Sequence, residues 1–192
     1  MKQAEKIVAL DIGGVCIELH MEKCFRAFGL TGGKEMPEEA VRACFLLETG
    51  RISEKEWFET IRRMTGNTMT VPEILSAWAE MIGSSVPGME SAVRELAGRG
   101  YRFVYFSNTS RLHMDVVARN NSFGHLVTGG IYSYEVHAVK PEPAMYRAFE
   151  EKYGIPFAYF DDRAENVEAG KKAGWNAHLF RNAADFLSVL RG

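Results

Sequence analysis

Residues 6–16 read KIVALDIGGVC, and this stretch indicates how the fold begins. Its first part, residues 6–12, has the continuous apolar character of a strand buried on both faces, as in a parallel sheet covered by helices. Asp11 falls where such a strand ends, so its carboxylate is a candidate nucleophile, metal ligand or turn former. Two residues later stands Gly13, where a second acid could have assisted catalysis.

The composition is that of an ordinary globular protein. The chain has 192 residues, of which 46% are hydrophobic, and its formal net charge is −2. This length suits one domain, or one domain that carries an insertion. Because the sequence contains no block of lysines and arginines, we expect no nucleic-acid partner.

The sequence also bears on the compartment in which the protein works. The apolar run near the N-terminus is shorter than a signal-peptide core, and no run reaches the length of a membrane span. The three cysteines are odd in number and form no CxxC pair, which is typical of free thiols in a reducing compartment. We therefore predict a cytoplasmic protein with no membrane partner.

Apolar segments alternate with helix-like segments in the second half of the chain. Strands are predicted at residues 101–107, 157–161 and 176–180, with a weaker one at 130–134; helices are predicted at 88–99, 143–153, 164–173 and 183–190. Proline near the start and glycine just after the end mark several of these helices. The alternation predicts a doubly wound, Rossmann-like α/β fold with about five parallel strands and right-handed crossovers.

Residues 19–82 interrupt this pattern and predict a helical insertion. Helical stretches occur at residues 21–28, 37–49, 53–65 and 72–82, and no strand is convincing among them. Ser53 and Glu56 form a capping-box sequence at the start of one of these helices. We therefore predict a core domain made of residues 1–18 and 83–192, with residues 19–82 forming a cap.

Polar side chains follow the ends of several predicted strands. Asp11, the pair Ser107-Asn108 and the pair Asp161-Asp162 lie at such ends, and Lys140 precedes a helix that begins with proline. Ligands bind outside the carboxyl ends of the strands in open parallel sheets. Taken singly, these residues also suit turns, helix caps or a solvated lysine. Taken together, they suit a Mg²⁺ ion beside a phosphoryl group, with Asp11 as the attacking nucleophile.

These residues match four ordered motifs, and the chain resembles the haloacid dehalogenase-like hydrolase superfamily over essentially its full length. The motifs are DIGGV at 11–15, the strand that ends in Ser107-Asn108, Lys140 in VKPEPAMY, and FDDRAEN at 160–166. The helical insertion after the first motif resembles a C1-type cap. Within the superfamily, the motifs look most like small phosphatases related to α-D-glucose-1-phosphate phosphatase.

The resemblance implies a Mg²⁺ site. Asp11 would be both nucleophile and metal ligand, the backbone carbonyl of Gly13 would supply a second oxygen, and Asp162 would be the third protein ligand. Asp161 and Asn166 would support these ligands from outside or through water.

The resemblance also implies a phosphate site. Ser107 and the backbone of Asn108 would hold the phosphoryl oxygens, and Lys140 would balance the charge of the nucleophile and the phosphate. The expected activity is Mg²⁺-dependent hydrolysis of a small phosphorylated metabolite, for example a sugar phosphate. The sequence leaves the oligomeric state open.

Gly13 is the departure from the family pattern, because phosphatases of this superfamily usually have a second Asp there as general acid and base. General acid–base assistance contributes about 10²–10⁴-fold to a rate. Glu18 is a candidate replacement, and Arg51 is a candidate substrate contact. Two other functions stay open: a metal-independent dehalogenase, which needs no second Asp, and a protein that binds phosphate esters with little or no turnover.

Overall fold

The computed structural model describes residues 6–191; residues 1–5 and 192, which belong to the predicted core, lie outside the described residues. The strands within 6–191 are Lys6–Leu10 (β1), Ile17–Leu19 (β2), Ile82–Ser85 (β3), Tyr101–Ser107 (β4), Val127–Tyr132 (β5), Ala158–Asp161 (β6) and Ala177–Leu179 (β7). The α-helices are Met21–Ala27 (α1), Glu38–Glu48 (α2), Glu54–Met64 (α3), Val71–Ala79 (α4), Met89–Gly98 (α5), Arg111–Asn120 (α6), Ser133–Val136 (α7), Pro143–Tyr153 (α8), Ala164–Lys172 (α9) and Ala183–Arg191 (α10).

Five of the strands form one parallel sheet in the order β5-β4-β1-β6-β7. From β1 the chain builds outward through β4 and β5, then crosses back to β6 and β7 on the other side of β1. This reversal of direction makes the sheet doubly wound and places β1 at its centre. The predicted α/β fold class is confirmed.

Alternate residues of β1 face opposite sides of the sheet, as the pleat of a strand requires. Val8 and Leu10 pack into a core cluster that includes residues of α5 and α10. Ile7 and Ala9 pack into a second cluster, on the other side, with residues of α8 and α9. Because helices cover both faces, every position from 7 to 10 has to be apolar.

Helices α1 to α4 form a third apolar cluster around Trp57 and Trp78, whose rings have centroids 4.9 Å apart. Ser53 begins α3 with the predicted capping box: its Oγ accepts from the Glu56 N–H at 3.2 Å, while the Glu56 carboxylate accepts from the Ser53 N–H at 2.8 Å. All four helices fall within the predicted cap, residues 19–82. The division of the chain into two domains stays a prediction.

Three strands differ from expectation. β2 and β3 pair with each other in antiparallel fashion at the two ends of the predicted cap, and neither is long enough to show a clear alternating pattern. β5 spans Val127–Tyr132 instead of 130–134, because Gly129 and Gly130 conceal its strand character and Ser133 already begins α7. No helix within residues 6–191 has both the length and the apolar character to cross a lipid bilayer.

The turn after α2 is docked on α7. The Ser133 hydroxyl donates to Glu48 O at 2.6 Å, and the Arg51 guanidinium donates to His137 O at 3.0 Å. Nδ1 of the His137 ring lies 2.9 Å from Thr49 O. These bonds tie residues 48–51, which leave the helical insertion, to the loop that follows β5.

Gly50 permits this docking, and its replacement tests it. Gly50 has φ +61°, and a Cβ there would collide with Tyr134 O, whereas Gly66 has φ +62° with no atom near a built Cβ. Positive φ costs an L-residue about 1–2 kcal/mol. We expect Gly66→Ala to lower the free energy of unfolding by about this amount, and Gly50→Ala to lower it by about 2 kcal/mol more, because docking bonds are also lost. Urea denaturation measures both; equal losses would contradict the docking role of Gly50.

Candidate active site

Groups predicted from the sequence meet at the carboxyl edge of the sheet. β1 lies between β4 and β6, so Asp11, which follows β1, is flanked by Ser107 at the end of β4 and by Asp161 at the end of β6. The Asp11 N–H donates to Phe160 O at 3.0 Å, which continues the pairing of β1 with β6 beyond the strand. The strand order alone therefore brings these side chains together.

Lys140 reaches this edge from the segment between α7 and α8, and its ammonium group lies between two carboxylates. Nζ is 3.0 Å from Oδ1 of Asp11 and 2.6 Å from Oδ2 of Asp161, and it donates to Phe106 O at 2.7 Å. These contacts match the three donors of an ammonium group. Lys140 is only 4% exposed, so it is an internal counter-charge and not a solvated lysine.

Asp161 is completely buried and fully hydrogen-bonded. Besides Lys140, it accepts hydrogen bonds from the Tyr159 hydroxyl at 2.5 Å, the Arg163 N–H at 2.9 Å and Nδ2 of Asn166 at 3.0 Å. Because protein donors occupy both of its oxygens, Asp161 positions Lys140 and the start of α9.

The side chain of Asn108 fixes the backbone of Lys140. Its Nδ2 donates to Lys140 O at 3.0 Å, and its Oδ1 accepts from the Lys140 N–H at 2.7 Å. The sequence predicts a role only for the Asn108 backbone. This paired contact has no local signal, because the two residues are far apart along the chain and meet only in the folded sheet.

Asp162 differs from its neighbour because it is exposed. Oxygens of the Asp11, Asp161 and Asp162 carboxylates lie within 4.8 Å of one another. Gly14, in the turn after β1, has φ +74°, and a Cβ built there would collide with Oδ2 of Asp162. A glycine at residue 14 therefore allows the Asp162 carboxylate to lie directly against the turn.

The pKa values of the three carboxylates shift in different directions, because the three groups share one ammonium group. Burial raises the pKa of Asp11 to about 6, although the nearby Lys140 charge lowers it. Burial also acts to raise the pKa of Asp161, but Lys140 and the hydrogen bonds outweigh it, so that pKa is lowered. Burial and the Asp161 charge raise the pKa of Asp162. A single ammonium group offsets only part of this charge, so the arrangement favours an added cation.

Gly13, the position at which the family pattern usually has a second acid, faces the side chain of Leu19. A Cβ at Gly13 would lie 2.7 Å from Cδ1 of Leu19, on β2. An aspartate at residue 13 would therefore have to displace the Leu19 side chain. The apolar leucine borders the edge of the site where an acid would donate a proton.

The other two candidates from the sequence make contacts of their own. The Glu18 carboxylate accepts from the Ser84 hydroxyl at 3.3 Å, across the β2–β3 pair. Arg51 holds the docked turn after α2 through His137 O. Neither side chain lines the cavity next to Asp11, so catalytic and substrate roles for Glu18 and Arg51 stay predictions.

A cavity of about 500 Å³ extends from the site to the helical insertion. Ser107, Asn108 and Thr109 line its floor, and most of its remaining wall is apolar. Three further polar residues also line it: Glu48 of α2, His113 of α6 and Arg163, which directly precedes α9. Glu48 directly precedes the docked turn, but only the fold reveals that this turn lies beside the end of β4.

The family is shown by a model of haloacid dehalogenase-like hydrolases, which matches residues 5–174. The chain belongs to this hydrolase family. This membership agrees with the doubly wound sheet and with the four motifs found in the sequence.

Three similar proteins extend the comparison. The chain is 22% identical to D-ribitol-5-phosphate phosphatase from Bacteroides thetaiotaomicron, over 96% of each sequence. A crystal structure of a HAD family enzyme from that organism, in complex with magnesium and inorganic phosphate, aligns with a TM-score of 0.80 and 25% identity over 92% of this chain and 94% of that one. The structure of a predicted HAD-like hydrolase from Porphyromonas gingivalis aligns with a TM-score of 0.79 and 21% identity, over 97% of this chain and 98% of that one. The finer resemblance to glucose-1-phosphate phosphatases stays a prediction.

Removal of the buried ammonium group tests the charge balance of the site. In Lys140→Met, the carboxylates of Asp11 and Asp161 lose their cation, and we expect the free energy of unfolding at pH 7 to fall by about 3–5 kcal/mol. Lys140 holds the pKa of Asp161 below the value that this carboxyl has in the unfolded chain. The stability that Lys140 adds is therefore present above the unfolded pKa and is lost as the pH falls through the folded pKa. The deficit of the variant should therefore shrink toward acid. Urea denaturation in EDTA measures it.

The matched control is Lys171→Met, which removes an exposed lysine paired with Glu168 on the surface of α9. We expect this change to alter the unfolding free energy by less than about 0.5 kcal/mol. A deficit for Lys140→Met that matched the control, or that grew as the pH fell, would contradict a buried counter-charge at Lys140.

Proposed function

We propose that the protein is a Mg²⁺-dependent phosphomonoesterase that acts on a small phosphorylated metabolite, for example a sugar phosphate. The observation that carries this proposal is the position of Asp11, which lies against the Lys140 ammonium and close to the Asp162 carboxylate at one end of the sheet. This arrangement combines a buried candidate nucleophile, a fixed cation and an exposed second carboxylate. The magnesium and phosphate found with the HAD family enzyme from Bacteroides thetaiotaomicron support it.

The donor set fits Mg²⁺. The ion prefers oxygen ligands and keeps several waters, and Asp11 and Asp162 offer carboxylate oxygens that Asp161, engaged by protein donors, does not. Asp11, Asp162 and the Gly13 carbonyl would hold the ion. Oδ1 of Asn166 is buried without a partner within the described residues, which suits the predicted support through water. Bound Mg²⁺ would neutralise charge on the phosphoryl oxygens.

The chain's own residues perform the two half-reactions. A carboxylate oxygen of Asp11 attacks phosphorus, the bond from phosphorus to the ester oxygen breaks, and the alcohol leaves with a proton from solvent. Water then attacks phosphorus, the bond to Asp11 breaks, and inorganic phosphate departs. The Ser107 hydroxyl and the backbone of Asn108 hold the phosphoryl oxygens through both steps, while the Lys140 ammonium, held by Asp11, Asp161 and Phe106 O, balances the charge of the nucleophile and the phosphate.

The test is phosphate release from a panel of metabolite phosphates with and without EDTA. We expect Asp11→Asn to abolish turnover, since the amide oxygen is a poor nucleophile. Asp162→Asn should weaken Mg²⁺ binding by roughly 10-fold or more, as titration calorimetry measures, because the site loses a charged ligand. Asp115→Asn, an exposed change on α6, should preserve both properties. Full activity in Asp11→Asn would refute the proposal.

The alternatives drawn from the sequence predict other results in the same assay. Halide release from 2-haloacids in EDTA would establish a dehalogenase. Phosphate-ester binding without release of phosphate, even from p-nitrophenyl phosphate, would establish a binding protein. Either result would replace the phosphatase assignment.

The apolar environment of Gly13 gives a second prediction. Because Gly13 has no side chain and borders the apolar Leu19, the leaving alcohol receives little assistance, so the rate should fall steeply as the pKa of the alcohol rises. We expect kcat/KM across a series of aryl phosphates to show this dependence. The double variant Gly13→Asp/Leu19→Ala, which supplies an acid and the space for it, should flatten the slope, while Leu19→Ala alone should not. Identical slopes for the wild-type protein and the double variant would contradict this prediction.

A further inference from the structure

Glu48 carries a carboxylate into the cavity without a partner. It is the last residue of α2, its side chain is half-buried, and no hydrogen bond or ion pair reaches its carboxylate from any residue between 6 and 191. Burial raises the pKa of this carboxyl to about 7, with no compensating charge. This half-buried carboxylate lines the cavity with no protein donor, so its oxygens are available to accept a hydrogen bond from a ligand.

The position of Glu48 is fixed by the core. Its backbone carbonyl accepts from the Ser133 hydroxyl at 2.6 Å, and the same hydroxyl oxygen accepts from the Thr109 N–H at 2.9 Å. Thr109 directly follows the Ser107-Asn108 pair that lines the cavity floor. Glu48 is therefore tied, through one serine, to the loop that is proposed to hold the phosphoryl group.

His113 is a second polar group in the same wall. Its ring stacks on Trp78, with centroids 4.5 Å apart, and its Nε2 has no partner in the part of the chain that the structure describes. His113 is only 3% exposed, and burial lowers its pKa to about 4, so the ring is neutral at pH 7. The ring offers a hydrogen bond but cannot neutralise Glu48.

Apart from Arg163, which directly follows Asp161-Asp162, the rest of the wall is apolar and rich in methionine. It is formed on the cap side by Leu19, Met21, Phe25, Met36, Met64 and Met81, among others. Such a wall suits carbon atoms and provides no hydrogen bonds for several hydroxyl groups. Polar recognition on the cap side of the cavity therefore depends on few groups.

We infer that Glu48 determines substrate specificity by binding a hydrogen-bond donor, a hydroxyl or an ammonium group, on an otherwise apolar leaving group of the phosphate ester. This inference rests on the proposed phosphatase function and narrows its substrate class from a sugar phosphate, which carries several hydroxyl groups, to an ester whose leaving group carries a single donor. The phosphoryl end of the substrate binds at Asp11 and Lys140, the carbon skeleton packs on the methionine-rich wall, and the donor at its far end reaches Glu48.

Linear alkyl monophosphates test the inference directly. Chains of two to six carbons are compared in three versions, ending in a methyl, a hydroxyl or an ammonium group. In assays run above the Glu48 pKa of about 7, and at the length that reaches Glu48, we expect kcat/KM for a donor-ended chain to exceed that of its methyl-ended counterpart by roughly 10- to 100-fold, the range for one hydrogen bond to a charged group. A ratio near one at every length would overturn the inference.

Variants of Glu48 then separate the two kinds of donor. Glu48→Leu removes the acceptor and should bring the ratio of donor-ended to methyl-ended substrates close to one. Glu48→Gln keeps an acceptor oxygen but removes the charge, so it should retain the preference for hydroxyl and lose that for ammonium. Glu38→Leu, an exposed change at the other end of α2, is the control and should leave all ratios unaltered.

The remaining outcomes are distinct. If Glu48→Leu lowers kcat equally for methyl-ended and donor-ended chains, Glu48 serves the chemical step and the inference is overturned. If Glu48→Leu keeps the wild-type preference, another residue selects the substrate. Failure of the wild-type protein to release phosphate even from p-nitrophenyl phosphate would refute the phosphatase function itself, and with it this inference. Circular dichroism confirms that each variant is folded.

Discussion

The buried ammonium group of Lys140 holds the active-site edge of the molecule together. Burying an ion costs several kcal/mol, and here the cost is offset by contacts to Asp11, Asp161 and the carbonyl of Phe106. These partners come from β1, β4 and β6, which are neighbours in the sheet. The ion contacts can therefore form only when the three central strands are in their native order.

The same contacts organise the site before any ligand binds. Asn108 clamps the backbone of Lys140, and Asp161 is engaged by donors from both ends of its own loop. Rigid support of this kind keeps reacting groups in place without a reorganisation cost during the reaction. Asp162 and Asp11 retain oxygens for a metal because Asp161 takes the structural role between them.

The sequence predicts best where one physical constraint acts on a continuous segment. The strand 101–107 and the helix 143–153 match the structure residue for residue, because buried apolar runs and Pro–Gly punctuation are local signals. The motif residues were found together because parallel strands all end at one edge. The β2–β3 pair, the glycine-containing β5 and the clamp by Asn108 were not predicted, because each depends on contacts between distant segments.

The predicted core and the predicted cap contribute different groups to the cavity, mostly polar ones from the core and mostly apolar ones from the cap. The predicted core supplies fixed charges at the sheet edge. Protein donors occupy both oxygens of Asp161, whereas Asp11 and Asp162 keep carboxylate oxygens available. The insertion adds an apolar wall, and Leu19 extends that wall to the position beside Gly13. The polar side chains on the rest of the cavity wall come from both parts of the chain: Glu48 lies on α2, His113 lies on α6, and Arg163 directly follows Asp161-Asp162 at the sheet edge.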